Sequence, residues 1–77
     1  MRLNEVEVRA AVAALPEPER ELIRLRYGLD GDNRPLSLQE IGRRLNLGRA
    51  EVRQVEMRAL ERLALSRELR AVAEEAA

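Results

Sequence analysis

Three polar side chains in the segment 48–56 have the chemistry needed to contact the bases of double-stranded DNA. Arg49 and Arg53 are four residues apart and Gln54 follows directly, so a helix would present all three near its N-terminus. The major groove admits an α-helix, and there arginine can grip guanine O6 and N7 while glutamine can pair with adenine N6 and N7. The segment therefore predicts a helix that reads DNA, although an exposed arginine-rich helix is more often only a solvated surface.

The overall charge argues against strong nonspecific DNA binding. The chain of 77 residues has 14 basic residues, every one an arginine, and 14 acidic residues, so its net charge is zero. Residues 37–65 hold six arginines and four glutamates, a local balance of +2, which leaves a modest attraction for phosphate in this region only. The exclusive use of arginine suits bidentate contacts with phosphate or guanine, and it fits genomic base composition or thermal adaptation equally well.

Several classes of function lack the residues that they require. Without cysteine or histidine, the chain has no disulfide, no usual ligand set for structural zinc and no imidazole base. We also find no nucleophile paired with a base and no glycine-rich phosphate loop, so we predict no enzymatic activity, no metal and no cofactor. No apolar run approaches the roughly 20 residues of a membrane span, and the first residues are too polar for a signal peptide, which predicts a cytoplasmic protein without membrane contact.

The elements that must position these side chains are all helical. The length fits one domain, 1–77, and an aromatic content of 1% requires a core of Leu, Val, Ile and Ala. Apolar residues at helical spacing, Pro16 in a first turn and Ser66 as a cap predict a compact bundle of four to five helices containing a helix-turn-helix. The predicted helices span about 3–14, 17–27, 38–45, 49–64 and 66–74.

The predicted helix-turn-helix has clear boundary signals. Gly28 stands where a left-handed cap would end the second helix, and Ser37 with Glu40 three residues later forms a capping-box pattern. Gly42 inside the third helix indicates a second helix crossing very close. Asn46 can adopt the left-handed conformation that ends this helix, and Gly48 can cap the next one.

The fourth helix has two distinct sides. Spacing at i, i+3, i+7 and i+11 places four apolar residues on the inner side: Val52, Val55, Ala59 and Leu63. The remaining residues of its first turns face outward: Arg49, Ala50, Arg53, Gln54, Met57 and Arg58. The outward side is the predicted reading surface.

Five segments in one order and spacing carry a family resemblance. The most specific are Arg-Tyr-Gly-Leu at 26–29, Leu-x-Glu-Ile-Gly at 38–42 and Val-Arg-Gln-Val-Glu at 52–56, flanked by the runs 15–17 and 59–63. Across nearly its whole length the chain closely resembles the C-terminal domain of primary-type bacterial RNA polymerase sigma factors. The resemblance implies that the fourth helix reads the minus 35 promoter element and that the first two helices hold the flap-tip helix of the polymerase β subunit.

The resemblance also assigns candidate residues. The DNA-binding set is Arg49, Arg53, Gln54, Ser37 and Arg58. The set for the flap or an activator is Leu22, Ile23, Tyr27, Arg58 and Arg62. Core packing explains the three apolar members of the second set at least as well. Anti-sigma factors or phage regulators are further partners that the resemblance implies.

One segment departs from the family pattern. The family usually has Thr or Ser and then Arg-Glu-Arg where this chain has Gly48-Arg49-Ala50-Glu51. Ala50 thus replaces the glutamate that would accept a hydrogen bond from cytosine N4, and Glu51 falls at the third helical position, where it can cap the N–H of Gly48. Pro18 and Glu61 also stand where basic residues are usual. We therefore expect a relaxed or altered minus 35 specificity.

Two interpretations remain open at this point. The first is a promoter-recognition domain, either part of a longer sigma factor or encoded alone. The second is a sigma-like adaptor with weak DNA affinity that mainly engages polymerase or a transcription regulator. The neutral charge and Ala50 favour the second interpretation, while the helix-turn-helix pattern favours the first.

Overall fold

A computed structural model of the protein describes residues 5–29 and 34–76, and describes side chains within 6–29 and 34–67. These residues form α1 (Glu5–Ala13), α2 (Glu19–Tyr27), α3 (Leu38–Leu45) and α4 (Arg49–Ala76). The predicted all-α fold with a helix-turn-helix is confirmed, with four helices and no strand in the described part. The predicted start of the first helix, at residues 3 and 4, lies outside the described residues.

The second helix begins later than predicted, at Glu19 rather than at residue 17. Pro18 precedes it with φ −88° and ψ 5°, outside regular helical geometry. A residue that precedes proline is disfavoured in the helical region, so Glu17 cannot readily belong to a helix that continues through Pro18. The carbonyl oxygens of Pro16 and Pro18 instead accept hydrogen bonds from the first residues of the helix, each at 3.0 Å.

The predicted division of the C-terminal part into helices 49–64 and 66–74 is wrong. α4 is continuous from Arg49 to Ala76. Its sequence contains neither glycine nor proline, and it is dominated by Ala, Leu, Arg and Glu, which lose little free energy in a helix. A single serine costs a helix only a few tenths of a kcal/mol, so Ser66 lies within α4 and does not begin a new helix.

The core is aliphatic, as the lack of aromatic residues requires. α2 lies at its centre and contacts each of the other three helices. Nine buried apolar residues form one cluster: Val12, Leu15, Leu22, Ile23, Leu25, Ile41, Val52, Val55 and Ala59. Helix α4 therefore rests on α2 through its N-terminal half, and its remaining turns extend from that contact.

The start of α3 is tied to the end of α2. Gly28 ends α2 in the left-handed conformation, with φ 62° and ψ 42°, as predicted. Leu36 donates a backbone hydrogen bond to the carbonyl of Leu25 at 3.0 Å. Arg26 donates a hydrogen bond to the carbonyl of Leu36 at 3.2 Å, and its Nε lies 3.6 Å from Oε2 of Glu56 on α4. One arginine thus links α2, the segment before α3, and α4.

A second ion pair joins the other edge of α4 to the start of α2. Glu19 is 4% exposed, and its Oε2 lies 2.9 Å from Nε of Arg62. That oxygen accepts no hydrogen bond within the described residues, so the guanidinium group is its charge partner. Burying a carboxylate away from water is costly unless a positive charge compensates it. Arg62 therefore supports the packing of α4 on α2.

Candidate nucleic-acid interface

The first helix of the helix-turn-helix begins with a complete capping box. The hydroxyl of Ser37 accepts a hydrogen bond from the N–H of Glu40 at 3.2 Å and donates one to Oε1 of Glu40 at 3.0 Å. The N–H of Ser37 also donates to Oε1, at 3.3 Å. Hydrogen bonds from the backbone and then the hydroxyl of Ser37 hold the pKa of Glu40 below its ordinary value of 4.5. The side chain of Ser37 is exposed, but its hydroxyl is already hydrogen-bonded to Glu40 at the start of α3.

The turn between α3 and α4 brings the two helices very close together. Asn46 has φ 57° and ψ 46°, the predicted left-handed cap, and Leu47 donates to the carbonyl of Gly42 at 2.8 Å. A Cβ atom on Gly42 would lie 3.0 Å from the oxygen of Leu47 and 3.2 Å from Cγ2 of Val52. The prediction of a close helix crossing at Gly42 is confirmed.

The second helix of the motif begins with only half of a capping box. Oε1 of Glu51 accepts a hydrogen bond from the N–H of Gly48 at 3.1 Å, as predicted. The carbonyl of Gly48 accepts the first helical bond, from Val52, at 2.9 Å. Gly48 has no side chain that could return a bond to the helix. The carboxylate of Glu51 therefore stabilises the start of the helix.

The two sides of α4 are arranged as the spacing predicted. Val52, Val55 and Ala59 are buried, and Leu63 packs against the core. All six outward residues are exposed: Arg49, Ala50, Arg53, Gln54, Met57 and Arg58. At about 100° per residue, Ala50 lies almost opposite the line through the buried residues. The middle of the outward side is consequently a methyl group with arginine and glutamine beside it.

A groove between α3 and the start of α4 is lined by further polar residues, outside the predicted DNA-binding set. Its volume is about 680 Å³. Its lining has an apolar part, formed by residues such as Leu47 and Val52, and a polar part that includes Gln39, Arg43 and Arg53. Gln39 and Arg43 are four residues apart on α3 and both are exposed, a signal present in the sequence once α3 is assigned. Together with Arg49, they extend the polar surface from α4 onto α3.

The candidate partner-binding residues fall into three environments. Leu22 and Ile23 lie in the buried core, so in this conformation their side chains are closed to a partner. Tyr27 is 49% exposed at the end of α2. Arg62 is engaged with Glu19, whereas Arg58, one helical turn earlier, is exposed and makes no ion pair within the described residues. Of these candidates, only Tyr27 and Arg58 present a surface without an internal partner.

A smaller cleft lies between α1 and α2. Its volume is about 240 Å³, and its apolar residues are Val12, Ala13 and Leu29. Three arginines complete its lining: Arg9, Arg20 and Arg24. Arg20 is held in place by Glu17, which its Nε contacts at 2.8 Å. No local pattern in the sequence predicts this cleft, because its residues come from two helices and depend on how those helices pack together.

The described residues contain no group of acidic side chains that could hold a metal ion. Among the helices as described, none combines the length and the apolar character needed to cross a membrane.

Comparisons with known proteins agree with this arrangement. Residues 11–64 match the protein family Sigma-70, region 4. The chain is 47% identical over 62 residues to RNA polymerase sigma factor SigA4 of Synechococcus elongatus, covering 79% of this chain and 19% of that protein. It is 50% identical over 52 residues to RNA polymerase sigma-C factor of Nostoc sp., covering 68% and 12% respectively. The chain thus spans at most about a fifth of the length of the curated relatives it matches, and no solved structure matches it.

Proposed function

The chain belongs to the Sigma-70 region 4 family, and from that premise we propose that it is a transcription initiation module that reads the minus 35 promoter element with α4 and docks on the β flap of RNA polymerase. The observation that carries the DNA-reading part is the outward side of α4. Arg49, Arg53 and Gln54 are exposed there, in the half of the helix that meets bases in helix-turn-helix proteins.

The packing of the motif supports this proposal. The capping box at Ser37, the crossing at Gly42 and the bond between Gly48 and Glu51 fix the two helices relative to each other. A reading helix needs such a rigid support, because base contacts depend on side chains held close to one geometry. Arg43 on α3 lies across the groove from Arg53 and is suited to a backbone phosphate, which would set the register of α4 in the major groove.

The polymerase-docking part of the proposal rests on the cleft between α1 and α2. Leu22 and Ile23 are unavailable because they are buried, so we place the flap contact at Ala13, Leu29 and the other residues of the cleft. A cleft of about 240 Å³ suits one apolar side chain of a docking helix. The exposed ring of Tyr27 adds apolar surface at the end of α2.

Salt-dependent DNA binding tests the reading role. We would measure fluorescence anisotropy of the 77-residue chain on a duplex with a minus 35 element and on a scrambled duplex, for the parent, Arg53→Ala, Gln54→Ala and the control Arg67→Ala. Loss of a base contact costs about 1 to 3 kcal/mol on the specific duplex only. Loss of a phosphate contact weakens both duplexes and lowers the salt slope by about 0.9. Arg67 is exposed about 21 Å further along α4, so Arg67→Ala should leave both affinities unchanged.

A matched pair of neighbouring alanines tests the docking role. Ala13 lines the cleft, whereas Ala14 is exposed beside it and does not. Ala13→Gln should weaken binding to a purified β flap domain, because the larger polar side chain occupies the cleft, while Ala14→Gln should not. If Ala13→Gln and Ala14→Gln bind the flap domain equally well, the cleft is not the site of flap docking.

The alternative function is a sigma-like adaptor that mainly binds protein. It is favoured by the zero net charge and by Ala50, which leaves the middle of the outward side without a polar group. Flap binding that persists while the parent binds neither duplex at low salt would support the adaptor and exclude promoter reading by this domain alone.

A further inference from the structure

Ala50 lies in the first turn of α4, at the middle of its outward side. It is the second residue of the helix, it is exposed, and it lies almost opposite the buried line of Val52 and Val55. Arg53 and Gln54 follow at i+3 and i+4, so both side chains lie next to its methyl group. A methyl group is thus placed between two side chains that can hydrogen-bond to bases.

No neighbouring carboxylate takes over the polar role at this position. Glu51 is the nearest acidic residue in sequence, but it points about 100° away around the helix and its Oε1 accepts the hydrogen bond from Gly48. A carboxylate that could accept a hydrogen bond from the N4 amino group of cytosine is therefore missing at the position of Ala50. A cytosine whose amino group packs against Ala50 would lose water there without gaining a hydrogen bond from this residue, which is unfavourable.

Thymine is the base whose major-groove edge matches this surface. It presents a C5-methyl group, where cytosine has only hydrogen at C5 and an amino group at C4, and alanine is suited to an apolar contact with that methyl group. We propose that Ala50 is a specificity-determining residue that selects thymine over cytosine at one base pair of the DNA site, through contact between its Cβ and the C5-methyl group. This inference rests on the proposed role of α4 as a DNA reader.

The size of the effect follows from the area of one methyl group. Burying a group of this size contributes enough free energy to change an equilibrium constant about fourfold. Replacing that thymine by deoxyuridine, which lacks only the methyl group, should weaken binding about fourfold. Replacing it by cytosine should weaken binding more, because the unpaired amino group adds to the loss.

The test uses DNA that differs by single methyl groups. A duplex is first selected from a randomised pool by the parent chain at low salt, and each thymine of the selected site is then replaced in turn by deoxyuridine. We expect one position at which deoxyuridine weakens the parent about fourfold. At the same position, 5-methylcytosine should bind better than cytosine.

Three variants assign the effect to Ala50. Ala50→Gly should bind the thymine and deoxyuridine duplexes equally at that position, because the Cβ is gone. Ala64→Gly is the matched control, since Ala64 is exposed on the same helix about 21 Å away, and it should keep the discrimination. Ala50→Glu should move the preference from thymine to cytosine, because the carboxylate accepts a hydrogen bond from N4.

The outcomes separate this inference from the function on which it rests. If the parent binds no duplex at low salt, DNA reading by the domain and the role of Ala50 both fail. If the parent binds DNA but the penalty for deoxyuridine is absent, or is equal in the parent and in Ala50→Gly, only the methyl contact is wrong. Circular dichroism of Ala50→Gly and Ala64→Gly checks that both variants remain equally helical.

Discussion

The two sides of α4 use the same residue types for different purposes. On the inner side, Val52 and its apolar neighbours are buried, and the charges at the edges are paired, Glu56 with Arg26 and Arg62 with Glu19. On the outward side, arginines are exposed and make no ion pair within the described residues. Arg58 and Arg62 are one helical turn apart, yet one is open to a ligand and the other compensates a buried carboxylate. Residue type alone does not assign the role of an arginine here.

Truncating a buried side chain on the inner side of α4 should produce the largest loss of stability. Val52 is 2% exposed and packs near Gly42, so Val52→Ala removes two buried methyl groups and leaves a cavity. We expect the free energy of unfolding to fall by about 2 kcal/mol, measured by urea denaturation. Val6 on α1 is 75% exposed and provides the same substitution without burial, so Val6→Ala should change stability by less than about 0.5 kcal/mol. Similar losses in the two variants would show that α4 is not anchored at Val52.

The next largest effect should separate the two arginines. Arg62→Ala leaves the buried carboxylate of Glu19 without its partner, and we expect a loss of roughly 1.5 kcal/mol, in the lower part of the range for an unsatisfied buried group. The loss is not larger because Arg62 is itself 58% exposed and water screens the pair. Arg58→Ala should leave stability unchanged.

A double variant identifies the cause of the Arg62 effect. Glu19→Gln removes the buried charge, so Arg62→Ala should cost less in a Glu19→Gln background than in the parent. Equal costs in both backgrounds would mean that Arg62 acts through its alkyl chain and not through the ion pair.

The sequence predicted the parts of the molecule that local chemistry determines. Gly28, Asn46 and the pair of Ser37 and Glu40 are signals contained within a few residues, and each forms the predicted cap. The close crossing at Gly42 was also predictable, because a glycine inside a helix is destabilising and indicates that another element packs closely there. The division of α4 into an inner and an outward side followed from helical spacing alone, so its exposed residues were predicted without knowledge of tertiary contacts.

The sequence did not predict what depends on the placement of distant helices. Glu19 is an acidic residue in the first turn of α2, a common and favourable place for one, and nothing near it in the sequence indicates that Arg62, 43 positions later, pairs with it. The burial of Leu22 and Ile23 and the cleft between α1 and α2 depend likewise on how the helices pack. The predicted end of the fourth helix is wrong for a local reason: a serine can cap a helix, but no helix-breaking residue accompanies Ser66, so α4 continues through it.

The smallest expected loss of stability comes from Ser37 and Glu40, an exposed pair that caps the start of α3. Ser37→Ala removes the hydroxyl and the bonds that it makes with Glu40, and we expect a loss of about 1 kcal/mol at neutral pH. Because the folded state lowers the pKa of Glu40 below 4.5, its contribution to stability is present above that pH and is lost as the pH falls through the lowered value.

The pH dependence distinguishes this role from a contact with DNA. The difference in unfolding free energy between the parent and Ser37→Ala should therefore shrink as the pH falls well below 4.5. Glu40→Gln is the matched background: it keeps an oxygen acceptor but has no charge to titrate, so the loss caused by Ser37→Ala should vary less with pH in the Glu40→Gln background than in the parent. A difference between parent and Ser37→Ala that stays constant with pH would mean that the hydroxyl stabilises the fold only through the backbone N–H of Glu40 and not through its carboxylate.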